Sequence, residues 1–238
     1  MVKGMVFLLR GFFLIQKSGI RRYVFVPFLI NLIIFSFIIW FGASQFKRFI
    51  DLLLPIWLNW LEWLLWPLFA VVILVIVFYF FILFCNLISA PFNGLLSEAV
   101  EVHLTGTLMP SEGGIKTLVM NIWPAFISEG KKIFYFLSRS LPLLLLFIIP
   151  GINVVAPLVW LVFSAWMLAL EFADYPMGNH GLLFKEQRSK LQEKRWMVLG
   201  FGGATMILLM IPFINFIVMP TAVAGATVMW VEEFSGTD

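Results

Sequence analysis

Long uncharged stretches alternate with short polar ones along the chain, and the two simplest of these stretches lie in its first half. Residues 23–46 and residues 67–90 contain no charged side chain and consist mainly of Leu, Ile, Val and Phe. A helix needs about 20 consecutive apolar residues to cross a lipid bilayer. The pattern therefore predicts a long transmembrane helix over each of these two segments.

Two later uncharged runs, residues 141–170 and 197–231, are interrupted near the middle by related sequences. The first contains Ile-Pro-Gly-Ile-Asn, ending at Asn153, and the second contains Ile-Pro-Phe-Ile-Asn, ending at Asn215. The breaks leave arms of about 9–14 residues, or about 14–21 Å, against a hydrocarbon core of about 30 Å. We therefore expect two helical hairpins that penetrate the membrane only partly and return to the same side. Two kinked but continuous spans are the alternative.

The segments between these runs are more polar and predict helices at or outside the membrane surface. In residues 1–18, basic side chains recur every seven residues on one stripe, which is typical of an amphipathic interfacial helix. Residues 91–140 are mixed polar and amphipathic, whereas residues 171–196 are the most polar part of the chain and predict a water-exposed helix. The expected fold is a single all-α membrane domain over residues 1–238, with two long transmembrane helices, two partly penetrating hairpins, and interfacial and cytoplasmic amphipathic helices.

The composition supports a membrane protein. Hydrophobic residues make up 62% of the chain and charged residues 12%, against about 25% charged residues in soluble domains. The net charge of +3 and the lack of a nucleic-acid-binding motif argue against a nucleic-acid partner. Five basic residues and no acidic one precede the first long apolar helix, so we expect both termini in the cytoplasm. The bias is modest and leaves insertion in both orientations open.

No set of residues typical of an enzyme occurs in the sequence. It contains no phosphate-binding loop, nucleophile elbow or dinucleotide-binding glycine pattern, and its His, Cys and acidic residues are not spaced as metal ligands. We assign both histidines, His103 and His180, to packing at the membrane interface. The sequence therefore predicts neither an enzyme nor a metal or other cofactor.

The segment Gly19-Ile20-Arg21-Arg22, directly before the first long helix, is the best candidate binding site. The N-terminus of a helix offers free N–H groups and the positive end of the helix dipole. Two guanidinium groups add fork-shaped charged donors, and a glycine lets the backbone approach a ligand closely. This combination suits a tetrahedral oxyanion. Arginines that only anchor the topology of the helix are the alternative.

Other polar residues are assigned structural or path-lining roles. Glu171 and Asp174 follow the first hairpin, and we expect them to pair with the basic N-terminus and so stabilise the fold. Arg188 is placed with them as a structural polar contact. Backbone freed at a break in a membrane helix must be buried in protein or face water, so polar residues near such breaks are candidates for lining a permeation path. The candidates are Asn31, Asn153 and Asn215.

Several motifs, taken in order, resemble those of the CysZ family of bacterial sulfate permeases. They are Gly19-Ile20-Arg21-Arg22-Tyr23 followed by Pro27 and Asn31, then Ser89-Ala90-Pro91-Phe92 with Leu96-Ser97-Glu98 and Val100-Glu101, and finally Asp174-Tyr175-Pro176 with His180-Gly181, Phe184 and Arg188. Ile20 stands where the family usually has Leu, which is a conservative difference. The resemblance covers the chain from about residue 4 to residue 232.

The resemblance implies a bacterial inner-membrane permease that admits sulfate for cysteine biosynthesis without direct use of ATP. It implies two long transmembrane helices and two partly penetrating hairpins, as the hydrophobic pattern does. It also implies a homo-oligomer among membrane lipids, whose subunits can have opposite orientations. The sulfate site of the family falls on the segment Gly19-Ile20-Arg21-Arg22. An accessory or scaffold subunit of another uptake system, without transport activity of its own, is the alternative function.

Overall fold

The computed structural model describes the backbone of residues 1–53, 61–107, 115–211 and 214–236, and their side chains except at 49–51, 53, 62, 76–91 and 115–126. These residues form eight α-helices, and the all-α prediction is confirmed. The helices are α1 (Val2–Leu14), α2 (Arg22–Leu53), α3 (Glu62–Thr105), α4 (Ile115–Leu146), α5 (Ala156–Asn179), α6 (Phe184–Glu193), α7 (Arg195–Leu209) and α8 (Asn215–Glu233). Among the described residues, segments of α2, α5 and α8 are long and apolar enough to cross a membrane.

The chain divides into two compact units, which are described separately. Unit 1 comprises Met1–Arg21 and Asn93–Asp238, and unit 2 comprises Arg22–Phe92. Helix α3 therefore contributes its first part to unit 2 and its last turns to unit 1. Every site residue named above lies in unit 1, except Arg22 and Asn31 in unit 2.

Unit 2 contains an antiparallel contact between α2 and α3. The ring of Phe46 stacks on that of Phe69, with centroids 3.8 Å apart, and lies edge-on to Trp66. Further back along α2, Gly42 lies beside Ile73. Residue numbers fall along α2 as they rise along α3, so the two helices run in opposite directions. Many apolar side chains of α2 are exposed, which suits contact with lipid.

The first interrupted run folds as a hairpin of α4 and α5. Near the turn, Phe147 packs edge-on against Trp160, and far from it Lys132 reaches Glu171. The chain therefore reverses between the two helices, which excludes a kinked but continuous span. Gly151 in the turn has a φ of 85°, in the left-handed region that glycine adopts without steric cost.

The second interrupted run folds as a hairpin of α7 and α8. Lys194, directly before α7, donates to the carboxylate of Glu233 at 2.7 Å. Further along α7, the ring of Phe201 packs against Gly225. This order of contacts again requires the chain to reverse. Residues 212 and 213, which belong to the second Ile-Pro-Phe-Ile-Asn sequence, lie outside the described residues.

Helix α1 packs on α7 and α8 through its glycines. A Cβ atom at Gly4 would overlap the backbone of Met197, and one at Gly11 would overlap the backbone of Gly225. Small residues at such crossings let two helix backbones approach closely. The crossing of α5 with α7 uses a glycine in the same way. The buried core of unit 1 therefore forms around α1, α5, α7 and α8.

Some helix boundaries differ from those that the sequence predicted. Helix α1 ends at Leu14 and not at residue 18. The prediction of hairpin arms of 9–14 residues is wrong, since α7 has 15 residues, α8 has 19 and α5 has 24. Helix α5 is longer because it continues past the uncharged run to Asn179, and α8 because Pro220 lies inside the helix and does not end it. The single helix expected over 171–196 is divided between α5, α6 and α7, with Gly181 at a φ of 73° in the first break.

Candidate functional site

The turn between α1 and α2 holds the segment predicted to bind an oxyanion. Its residues belong to different units, since unit 1 includes Arg21 and unit 2 begins at Arg22. Gly19 has a φ of 92°, and no described atom lies within 4 Å of the position that a Cβ would take. A residue with a side chain would be strained in this conformation. Glycine therefore sets the turn and leaves its backbone accessible.

Ile20 and Arg21 complete the part of the turn that belongs to unit 1. The Ile20 side chain is 3% exposed and anchors the turn, whereas Arg21 is exposed. The backbone N–H groups of Ile20 and Arg21 donate to the carbonyl of Lys17, at 3.2 and 3.1 Å. These two N–H groups are engaged within the turn. The guanidinium of Arg21 is thus the donor that this residue can offer to an anion.

Arg22 begins α2 in unit 2. The first-turn N–H groups of a helix have no acceptor within it, and here they belong to Arg22, Tyr23 and Val24. Nη2 of Arg22 donates to the Tyr23 hydroxyl at 2.9 Å, and the guanidinium lies 4.8 Å from the centre of the Tyr23 ring. A guanidinium has five N–H donors, so this contact fixes the side chain and leaves most of its donors for a ligand.

The three asparagines predicted to line a path have different surroundings. Asn31 is 5% exposed, and its side-chain amide donates to the carbonyl of Pro27 at 2.9 Å. Its Oδ1 has no donor among the described residues. Asn153 and Asn215 are exposed at the turns of the two hairpins. The backbone N–H of Asn153 closes its turn by donating to the carbonyl of Ile149 at 3.0 Å.

Glu171 and Asp174 have a different partner from the basic N-terminus that we expected. Nζ of Lys132, in α4, lies 2.8 Å from Glu171 Oε2 and 3.0 Å from Asp174 Oδ2. Gln187, in α6, donates to Asp174 Oδ1 at 2.6 Å. Burial lowers the pKa of Lys132, but the two carboxylates outweigh this effect and the net shift is upward. A charged lysine therefore connects α4 and α5.

The basic N-terminus pairs instead with the end of α8. Lys3 pairs with Glu233, and Arg10 Nη2 lies 2.6 Å from Glu232 Oε1. Hydrogen bonding to Glu232 raises the pKa of Arg10 despite partial burial. In the sequence analysis, Arg188 is grouped with Glu171 and Asp174 as a structural polar contact. In the structure, its guanidinium lies 4.8 Å from the centre of the Tyr135 ring.

A buried polar group in unit 1 was not predicted from the sequence. Glu101, in the last turns of α3, is 7% exposed, and its Oε1 lies 2.9 Å from His180 Nε2. The His180 ring lies 5.1 Å from that of Trp230. Glu101 Oε2 and the Trp230 indole N–H are buried without a partner among the described residues. Buried polar atoms usually have a hydrogen-bond partner, so this group is a candidate for holding water or a ligand.

The contact between Glu101 and His180 had one signal in the sequence. Both residues lie in the motifs that resemble those of the CysZ family. In the part of the chain that the structure describes, no three His, Cys, Asp or Glu side chains are grouped so as to hold a metal ion.

The fold and the site first define a class: a multi-pass, all-α membrane protein with two helical hairpins and exposed arginines at the start of its first long helix. A family model described as Sulfate transporter CysZ/Etoposide-induced protein 2.4 matches residues 7–220. A Pseudomonas paraeruginosa protein named Sulfate transporter CysZ is 44% identical over 236 residues, which cover 98% of this chain and 96% of the relative. A Pseudomonas fluorescens protein of that name is 44% identical over 237 residues, which cover 98% and 94%. The chain therefore belongs to the Sulfate transporter CysZ/Etoposide-induced protein 2.4 family, and the resemblance is confirmed.

Proposed function

We propose that this protein is a sulfate permease of a bacterial inner membrane. The observation that carries the proposal is the turn at residues 19–22, where a glycine with a positive φ precedes two exposed arginines. The relationship to proteins named sulfate transporter, over nearly the whole chain, supplies the substrate. The protein acts by transport and not by catalysis, and its flux is channel-like or driven by the sulfate gradient.

The chemistry of sulfate explains why the arginines matter. Sulfate is a dianion at neutral pH, and its transfer into an apolar layer without compensating contacts is prohibitive. Guanidinium groups and first-turn N–H groups replace part of its hydration shell with charged and oriented donors. Both arginines are exposed, so a bound sulfate keeps some of its water. Binding of this kind is weak enough for the ion to leave again, as conduction requires.

The test is uptake of radiolabelled sulfate into liposomes that contain only this protein. Wild type is compared with the Arg21→Ala/Arg22→Ala variant and with Lys47→Ala/Arg48→Ala. The control removes another adjacent pair of exposed basic side chains, from α2, and so matches the change in charge. We expect at least about a tenfold loss of flux in the first variant alone, because a hydrogen bond to a charged group contributes about 1.5–3 kcal/mol.

Each result has a distinct meaning once the thermal unfolding of every variant shows that it is folded. Flux that falls in the arginine variant and not in the control supports the site. Equal flux in all three proteins keeps the permease but reduces the arginines to anchors of topology. No flux in the wild type favours the alternative, an accessory or scaffold subunit, which should then co-purify with a defined uptake complex.

The proposal extends the path to Asn31, Asn153 and Asn215. The exposed amides at the two hairpin turns can donate to an anion that has left the arginines. Asn31 supplies a buried side-chain amide, one of whose N–H groups donates to the carbonyl of Pro27. Unchanged flux in an Asn153→Ala/Asn215→Ala variant would remove this part of the proposal and leave the arginine site untouched.

The cellular setting is also part of the proposal. Sulfate that enters by this route would supply cysteine biosynthesis. The permease would be a homo-oligomer among membrane lipids, with both termini in the cytoplasm or with subunits in both orientations. The excess of basic residues before the first long helix supports cytoplasmic termini. Cross-linking in membranes, followed by mass measurement of the oligomer, tests the assembly.

A further inference from the structure

A groove among α4, α5, α6 and α7 in unit 1 has a charged end and an apolar wall. Its volume is about 910 Å³. Arg139, Gln192 and Arg195 line the end that lies farther from the hairpin turns, and Leu143 and Val162 belong to the wall nearer to them. The groove therefore changes from charged to apolar along the helices, as an amphiphilic ligand does.

The charged end offers donors and no acidic group. No carboxylate lines the groove, and neither arginine forms an ion pair with any side chain that the structure describes. Arg139 lies 5.8 Å from the centre of the Tyr135 ring. The indole N–H of Trp166, which also lines the groove, is buried without an acceptor among the described residues. Two positive charges therefore line this end of the groove.

The position of the arginines along the chain places this end at the level of the lipid headgroups. Arg139 comes two residues before the first interrupted uncharged run, and Arg195 two residues before the second. Both guanidinium groups thus stand where a hairpin enters the apolar layer. Trp196 beside Arg195 is 61% exposed, and exposed tryptophan at this level is typical of a membrane–water interface.

We propose that the groove binds one anionic phospholipid, with its phosphate held by Arg139 and Arg195 and an acyl chain against Leu143 and Val162. The paired guanidiniums match the fork geometry of a phosphate group. Basic pockets between membrane helices bind anionic headgroups. A free inorganic oxyanion would satisfy only the charged end and leave the apolar wall without a partner. This inference does not depend on the sulfate site at residues 19–22.

The test is native mass spectrometry of the purified protein with equal amounts of phosphatidylglycerol and phosphatidylcholine. Wild type is compared with Arg139→Gln/Arg195→Gln and with a charge-matched control, Lys131→Gln/Lys185→Gln, whose lysines are exposed outside the groove. We expect the wild type and the control to retain phosphatidylglycerol in preference to phosphatidylcholine. The arginine variant should lose at least about tenfold in phosphatidylglycerol retention. Equal retention in the arginine variant, or equal retention of both lipids by the wild type, would overturn the proposal.

A second variant separates a lipid from a free anion and does not alter the arginines. Val162→Trp fills the apolar wall at a side chain that is 56% exposed, so it should fold normally. It should also reduce phosphatidylglycerol retention, because the acyl chain loses its place. Undiminished retention, together with displacement by excess inorganic phosphate, would identify a free-oxyanion site and contradict the lipid proposal.

Discussion

At the residue scale, Lys132 shows how one partly buried charge connects two helices of unit 1. Its side chain is 13% exposed, and it lies between the carboxylates of Glu171 and Asp174. Lys132→Met would leave the two carboxylates with no cation between them. We expect a loss of about 1–3 kcal/mol in the free energy of unfolding. The loss is smaller than for a fully buried pair, because the Glu171 and Asp174 side chains are 51% and 31% exposed.

The measurement is the midpoint of thermal unfolding in detergent, with Lys131→Met as the matched control. Lys131 is the neighbouring lysine and is exposed, so its removal should leave the midpoint nearly unchanged. Lys132→Met should lower the midpoint, and Lys132→Met/Asp174→Asn should recover part of the loss. Equal midpoints for the two single variants would show that the cluster contributes little to stability.

The residues of this cluster also mark a limit of prediction from sequence. Sequence alone pointed to Glu171 and Asp174, because two acids beside an apolar run need partners. From the sequence, we expected the basic N-terminus as their partner, whereas in the structure they pair with Lys132. The choice depends on which helix lies opposite α5, and that is decided by packing between distant segments. The contact between Glu101 and His180, 79 residues apart, was missed for the same reason.

At the scale of elements, α1 is a packing helix of unit 1 as well as an amphipathic one. Gly11→Ala would place a Cβ within the backbone of α8, so the two helices would have to separate. We expect a cost of about 1–3 kcal/mol, as for other overpacked contacts. Gly130→Ala, on an exposed part of α4 with no described atom near the new Cβ, should instead stabilise by about 0.5–1 kcal/mol.

Gly11→Ala should lower the stability of the protein, and Gly130→Ala should raise it. The midpoint of thermal unfolding, measured for both variants in the same detergent, tests both predictions. Gly4→Ala tests the α7 side of the same helix independently, and it should destabilise like Gly11→Ala. If the Gly11→Ala protein unfolded at the same temperature as Gly130→Ala, the result would contradict the close backbone contact between α1 and α8.

The elements themselves were predicted unevenly. Both hairpins were foreseen, because proline, glycine and asparagine interrupt otherwise continuous apolar runs. Their lengths were underestimated for two reasons. Pro220 lies inside α8 and does not end it, and a helix can continue beyond the uncharged run, as α5 does. Helix α5 continues past residue 170 through Glu171 and Asp174 to Asn179. The basic and glycine stripes of α1 were visible in the sequence, but the helices that they contact were not.

At the scale of the whole molecule, the positions of its charges predict how deeply the first hairpin enters the bilayer. The cluster of Lys132 and Glu171 stands about 15 residues from the turn along either arm, or about 22 Å. A hydrocarbon core is about 30 Å thick. Arg139 lies between the cluster and the turn. With either of these charges at one interface, we expect the turn to stop inside the core. Ile148 and Val154 at the turn are each 76% exposed, which suits lipid better than water.

A spin label at residue 153 tests this depth without requiring one orientation of the protein. Asn153→Cys is labelled in a Cys85→Ser background, which removes the single native cysteine. The relative accessibility of the label to dissolved oxygen and to a water-soluble nickel complex reports its distance from the nearer bilayer surface. We expect a label at residue 153 deep in the core and a control label at Lys131→Cys near the headgroups. A label at residue 153 that lies at headgroup depth would contradict partial penetration. It would show instead that α5, which is long enough to span the membrane, crosses it completely.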